Sequence, residues 1–64
     1  MVYIEIFENG DSALMNVNLP IMPRIGEYLA IENDYFEYFY IVEIWYRKNA
    51  EKSEFVPCAR IERR

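Results

Sequence analysis

With 64 residues, one cysteine and no histidine, the chain has room for a single domain and cannot form an internal disulfide. It also lacks the side chain most often used as a general base near neutral pH. A net charge of −4 argues against general affinity for phosphate backbones. A domain this small buries only about 60% of the surface of its extended chain, yet 53% of the residues are hydrophobic and 17% aromatic. Part of that apolar area must stay exposed or be covered by a partner, so a homo-oligomer or a heteromeric complex is expected. The alternative is a monomer whose tyrosines keep their hydroxyls in water.

The N-terminus, Met1-Val2-Tyr3-Ile4-Glu5, has neither a basic start nor an apolar run of signal-peptide length. No stretch approaches the roughly 20 apolar residues of a membrane span. The expectation is a cytoplasmic protein with Cys58 as a free thiol and no membrane partner. Charge is uneven along the chain: residues 1–46 carry eight acids and one base, Arg24, whereas residues 47–64 carry six bases and three acids.

Taken in order, Val2 to Glu8 and Asp11 to Leu19 flank Asn9-Gly10. Asn-Gly between alternating apolar runs is a strong hairpin signal, because both central residues of a type I′ turn have positive φ. With Glu8 opposite Asp11, one face holds Val2, Ile4, Ile6, Ala13, Met15 and Val17, and the other Tyr3, Glu5, Leu14 and Asn16. Pro20 and Pro23 cannot donate to a ladder, so the second strand ends near Leu19 and the chain turns a corner. Gly26 permits a tight backbone before a third strand, Glu27 to Glu32, and Asn33-Asp34 forms the next turn.

Tyr35 to Tyr46 holds seven of the eleven aromatic residues, including the only Trp. A helix would place Glu43 and Arg47 four apart on one face, but the run contains no Ala, Leu, Lys or Gln, and aromatic and β-branched side chains favour a strand. Side chains alternate faces along it. The even positions Phe36, Tyr38, Tyr40, Val42, Ile44 and Tyr46 are all apolar or aromatic and are expected in a core. The odd positions Tyr35, Glu37, Phe39, Ile41, Glu43 and Trp45 mix carboxylates with large apolar groups, the composition that interface hot spots favour. They form the expected partner-binding face; packing against the last strand or a second protomer is the competing use of the same residues. A strand running to about Arg47 would be about 43 Å long, too long for the domain, so it must bend or carry a bulge that shifts the facing of Ile44 and Trp45. Lys48 to Glu54 is a polar loop, Phe55 to Ile61 the last strand and Glu62-Arg63-Arg64 a tail.

Five strands in a meander with a proline corner and one over-long strand describe an all-β fold, a small five-stranded antiparallel barrel of SH3-like or OB-like kind. The run Leu19-Pro20-Ile21-Met22-Pro23-Arg24-Ile25-Gly26-Glu27-Tyr28, followed by a strand with Tyr40 and Val42, resembles the small SH3-like barrel proteins of bacteria and phages, which carry a Pro-Arg-x-Gly-Glu corner. The resemblance covers residues 19–46. It implies a fold and a phage or mobile-element setting, and it transfers no active site.

Chemistry is poorly supplied. Ser12 and Ser53 have no activating partner in view. Cys58 has only Arg60 nearby as a cation and reads as packing. A carboxylate pair of the glycosidase kind needs a cleft that this chain can hardly build. Glu32-Asn33-Asp34 reads as a turn before it reads as a cation site, and two glycines make no phosphate loop. No cofactor, metal or catalytic residue is expected. Two binding readings stand. One is a protein-binding module, such as a phage inhibitor or adaptor whose acidic aromatic face docks where a target receives nucleic acid. The alternative is a nucleic-acid-binding barrel with Tyr28 or Trp45 as stacking platforms and Arg47, Lys48, Lys52, Arg60, Arg63 and Arg64 on phosphates.

Overall fold

A computed structural model describes residues 1–10, 12–32, 35–51 and 53–63. Five strands follow one another in the chain: β1 (Val2–Phe7), β2 (Met15–Leu19), β3 (Tyr28–Glu32), β4 (Phe36–Asn49) and β5 (Glu54–Arg63). They form one sheet in the order β2-β1-β5-β4-β3. The fold is all-β, but neither a meander nor wholly antiparallel. β1–β2 is a hairpin, β3–β4–β5 is an antiparallel meander, and the two units are joined where β1 runs parallel to β5, Ile6 beside Ala59. The sheet curls without closing. Met15, Val17 and Leu19 of β2 and Leu29 and Ile31 of β3 all pack on one cluster of Ile4, Ile6, Phe39, Ile41, Ala59 and Ile61, while no Cα of β2 lies within 8 Å of β3. The result is a half-barrel with two free edges.

The first hairpin departs from the tight-turn expectation in register but not in facing. Val2 pairs with Leu19, Ile4 with Val17 and Ile6 with Met15, a shift of two residues. Leu14 N–H donates to the Ile6 carbonyl at 2.7 Å, so the connection is a longer loop. Gly10 still takes positive φ, +72°. Because two is the side-chain period of a strand, the slip leaves Val2, Ile4, Ile6, Met15 and Val17 on one face and replaces Ala13 with the larger Leu19. The Asn33-Asp34 turn lies outside the described residues.

The corner after Pro23 closes through Arg24 N–H, which donates to Glu27 Oε1 at 2.6 Å. Gly26 N–H then donates to the Ile41 carbonyl, and Ile41 N–H to the Glu27 carbonyl, both at 2.9 Å. Two residues thus oppose one, with Gly26 at φ +97°, the pattern of a glycine bulge. A second irregularity lies on the other side of β4, between Ile41 and Glu43. Fourteen residues would extend about 46 Å, more than the 38 Å long axis of the molecule, and the bulge lets β4 bend within it.

Before this bulge the aromatic strand has the reverse of the expected facing, and after it the parity changes. Before it, the odd positions point inward: Phe39 is 2% exposed and Ile41 fully buried. Phe36 and Tyr38, expected in the core, are more than half exposed, as is Tyr46. After the bulge the parity flips, so that Ile44, opposite Ala59, packs against the core. Polarity gives the reason. A buried tyrosine hydroxyl needs a partner, whereas Phe39 and Ile41 carry no polar atom. The interior takes the two side chains it can desolvate without cost. Ile41→Ala should therefore lower stability by about 2–5 kcal/mol in denaturant unfolding, and Tyr38→Ala by less than about 1 kcal/mol. Equal losses would contradict this facing.

Candidate functional site

Two regions of the outer, convex face carry aromatic side chains in different states. Over β1, β5 and the second half of β4, Phe7 and Trp45 meet at 5.1 Å between ring centroids. The Arg60 guanidinium lies over both rings, 5.3 Å from Trp45 and 6.0 Å from Phe7, and is held there by Glu43 Oε1 at 3.0 Å and the Gly10 carbonyl at 3.2 Å. Phe7 is only 6% exposed, so this cluster is a covered minor core. Cys58 lies beside it, fully buried, its Sγ within donor reach of the Val56 carbonyl at 3.5 Å and of Glu5 Oε1 at 3.8 Å. Glu5 in turn accepts from Arg47 Nε at 2.8 Å. This pair bridges β1 to β4 across β5.

The second region is open. On the outer face of β3 and the first half of β4, Tyr28 packs edge-on against Tyr40 at 5.3 Å and Phe36 stacks on Tyr38 at 6.2 Å. Tyr28, Phe36 and Tyr38 are 56%, 56% and 53% exposed. Glu62, paired with Tyr40 across the β4–β5 ladder, and Glu32 at the end of β3 flank them, both exposed.

The six residues expected to share a partner-binding face therefore divide. Phe39 and Ile41 belong to the core and present no surface. Trp45 is half-buried in the Phe7–Arg60 cluster. Glu43 holds Arg60, and Glu37 accepts from Arg63 Nη1 at 2.8 Å, whose Nε donates to Glu8 at 2.6 Å. Tyr35 alone is exposed without such a role, at 67%. The exposed aromatic set comes instead from the even positions of β4 with Tyr28 of β3. The signal in the sequence was the hydroxyls: three of the six even positions are tyrosine, whose oxygen favours the wet side.

Electrostatically, the described arginines are all engaged. Arg24 pairs with Glu27, Arg47 with Glu5, Arg60 with Glu43, and Arg63 with Glu8 and Glu37. Among the described residues, Lys48 is the one side-chain cation without a carboxylate partner, whereas Glu32, Glu51, Glu54 and Glu62 stand without a cation. Among the described residues no group of three or more His, Cys, Asp and Glu side chains gathers for a metal ion, and no helix is long and apolar enough to cross a membrane. No family model, no curated protein and no solved structure matches the chain.

Two outcomes follow from the Glu5–Arg47–Cys58 group. Burial, reinforced by the adjacent Glu5 charge, pushes the Cys58 thiol up, so it stays protonated at neutral pH. It should resist a thiol reagent in the native protein and react fully in denaturant; fast native labelling would contradict its burial. The Arg47 hydrogen bond, opposed by partial burial and aided by the Arg47 charge, holds the Glu5 carboxyl below its ordinary 4.5. A depressed folded-state pKa contributes stability above the unfolded value, lost as pH falls through the folded one. Between neutral pH and acid below 4.5, Glu5→Gln should therefore lose less stability than the parent protein, measured by denaturant midpoints across that range.

Proposed function

We propose that this protein is a noncatalytic protein-binding module whose working face is the acidic aromatic surface of β3 and the first half of β4, and that its partner presents a basic surface. The single observation that carries this reading is the exposure of Tyr28, Phe36 and Tyr38 beside Glu32 and Glu62, carboxylates that no cation among the described residues pairs with. Aromatic rings and carboxylates together suit lysine and arginine: the cation meets the ring face, and the acid completes its charge. The Pro23-Arg24-Ile25-Gly26-Glu27 corner supports kinship with the small SH3-like barrels of bacteria and phages. An inhibitor or adaptor that occupies a basic, nucleic-acid-receiving surface is the role in keeping with both features.

The alternative, nucleic-acid binding, has less support. Arg47, Arg60 and Arg63, which would contact phosphates, are held by Glu5, Glu43, Glu8 and Glu37, and Trp45 is half-buried beneath Arg60. A phosphate would have to displace each carboxylate before gaining its cation.

Titration of a labelled arginine- and lysine-rich peptide should give saturable binding that weakens with salt. Phe36→Ala combined with Tyr38→Ala should reduce it by about tenfold or more, roughly 1.4 kcal/mol. Both side chains are exposed, so the melting temperature should hardly move. Peptide affinity untouched by the double variant, or tighter binding to single-stranded DNA or RNA at the same ionic strength, would overturn the reading.

A further inference from the structure

β3 is an edge of the sheet, and its sequence is its own antiparallel complement. Because Gly26 and Glu27 exchange backbone hydrogen bonds with Ile41, alternation along the ladder turns Leu29 and Ile31 toward Phe39 and Glu37 of β4. The N–H and C=O groups of Ala30 and Glu32 then point away from the sheet. An antiparallel copy placed on a twofold axis through Ala30 sets Ala30 against Ala30, Leu29 against Ile31 and Tyr28 against Glu32. Leu29 and Ile31 already pack, half-buried, on the inner cluster, so this pairing continues the apolar inner face from one half-barrel into the next.

Charge selects the same register. The two Glu32 side chains end about 14 Å apart, four residues at the strand rise, and each lies opposite a tyrosine. An axis through Glu32 would instead place the two carboxylates face to face in a chain of net charge −4, which is destabilising. The other edge is blunted. Leu14 bonding to Ile6 turns Met15, Val17 and Leu19 toward β1, so the outward series is Asn16, Asn18 and then Pro20, which has no N–H to offer. Between Tyr28 and Glu32 β3 has no proline or lysine, and the Gly26–Glu27 bulge lies before it.

We propose that a second copy of this chain adds to the β3 edge, antiparallel and with Ala30 on the twofold axis, giving a continuous ten-stranded sheet. The interface is isologous, and it brings the two acidic aromatic faces side by side. The assembly does not depend on the partner proposed above.

Light scattering and sedimentation equilibrium on the full chain should report a dimer. Ala30 is exposed on the outer face, so Ala30→Lys leaves the fold intact while setting two ammonium groups against each other on the axis. It should weaken dimerisation by about tenfold or more, with an unchanged circular dichroism spectrum. In a Cys58→Ser background, Ala30→Cys should oxidise to a disulfide-linked dimer, because directly paired Cα atoms about 5.5 Å apart suit a disulfide. Glu32→Cys, whose opposite residue is Tyr28, should not. A monomeric parent protein at millimolar concentration, a dimer indifferent to Ala30→Lys, or cross-linking equal at both positions would overturn the proposal. Ala30→Glu also sets like charges on the axis but adds no cation to the acidic aromatic face, so retention of peptide binding by monomeric Ala30→Glu would separate its fate from that of the binding reading.

Discussion

The structure depends on the irregularity between Ile41 and Glu43 in β4. A strand of 14 residues has to serve two neighbours along different parts of its length, β3 through Phe36–Tyr40 and β5 through Phe39–Asn49. Kept in one parity throughout, it would send either Ile41 or Ile44 to the wrong side. The extra residue at Val42 lets both contribute to the interior, Ile41 fully buried and Ile44 packed against the same cluster. It also moves Trp45 to the outer face, where Phe7 and Arg60 cover it. The central strands thus cover apolar groups on both of their sides.

The ion pairs follow the same central strands. Glu5–Arg47 spans β5, Arg60–Glu43 ties β5 to β4, and Arg63 joins the loop after β1 to β4 through Glu8 and Glu37. Each is partly exposed, and solvent screens its contribution to stability. Their larger effect is on what remains outside. Among the described residues, with the arginines occupied internally, the carboxylates left without a cation are Glu32 and Glu62 beside the aromatic rings and Glu51 and Glu54 at the β4–β5 connection, against one free side-chain ammonium, Lys48. Among the described residues, the arginines of the basic C-terminal part are folded onto carboxylates of the acidic body.

Much of the architecture was legible in the sequence. Asn9-Gly10, the Pro20–Gly26 corner and the uninterrupted aromatic run located the five strands to within a few residues, because turn chemistry and β-propensity are local. The need for a bulge followed from strand length against domain size. The parallel pairing of β1 with β5 was not legible, since the strands it joins are remote in the chain and nothing in either specifies the direction of its neighbour. Nor was the facing of β4. Period-two alternation separates two sets of residues, but both sets here are rich in large apolar groups, and only desolvation of the tyrosine hydroxyls tips the balance. The expected site divided as a consequence: Phe39 and Ile41 went inside, Trp45 under Arg60, and Glu37 and Glu43 to arginines.

By itself, the sequence determined the all-β class, the strand count, the corner and the existence of an acidic, aromatic-rich chain without histidine, all of which rest on composition and on contacts between near neighbours. Only the tertiary structure decided that the sheet is mixed and open, which edges it leaves bare, and that Tyr28, Phe36 and Tyr38 are among the exposed rings. Those outcomes turn on which strand lies beside which and on which face closes over the core. They are set by burying the side chains cheapest to desolvate, a choice made jointly by residues distant in the chain.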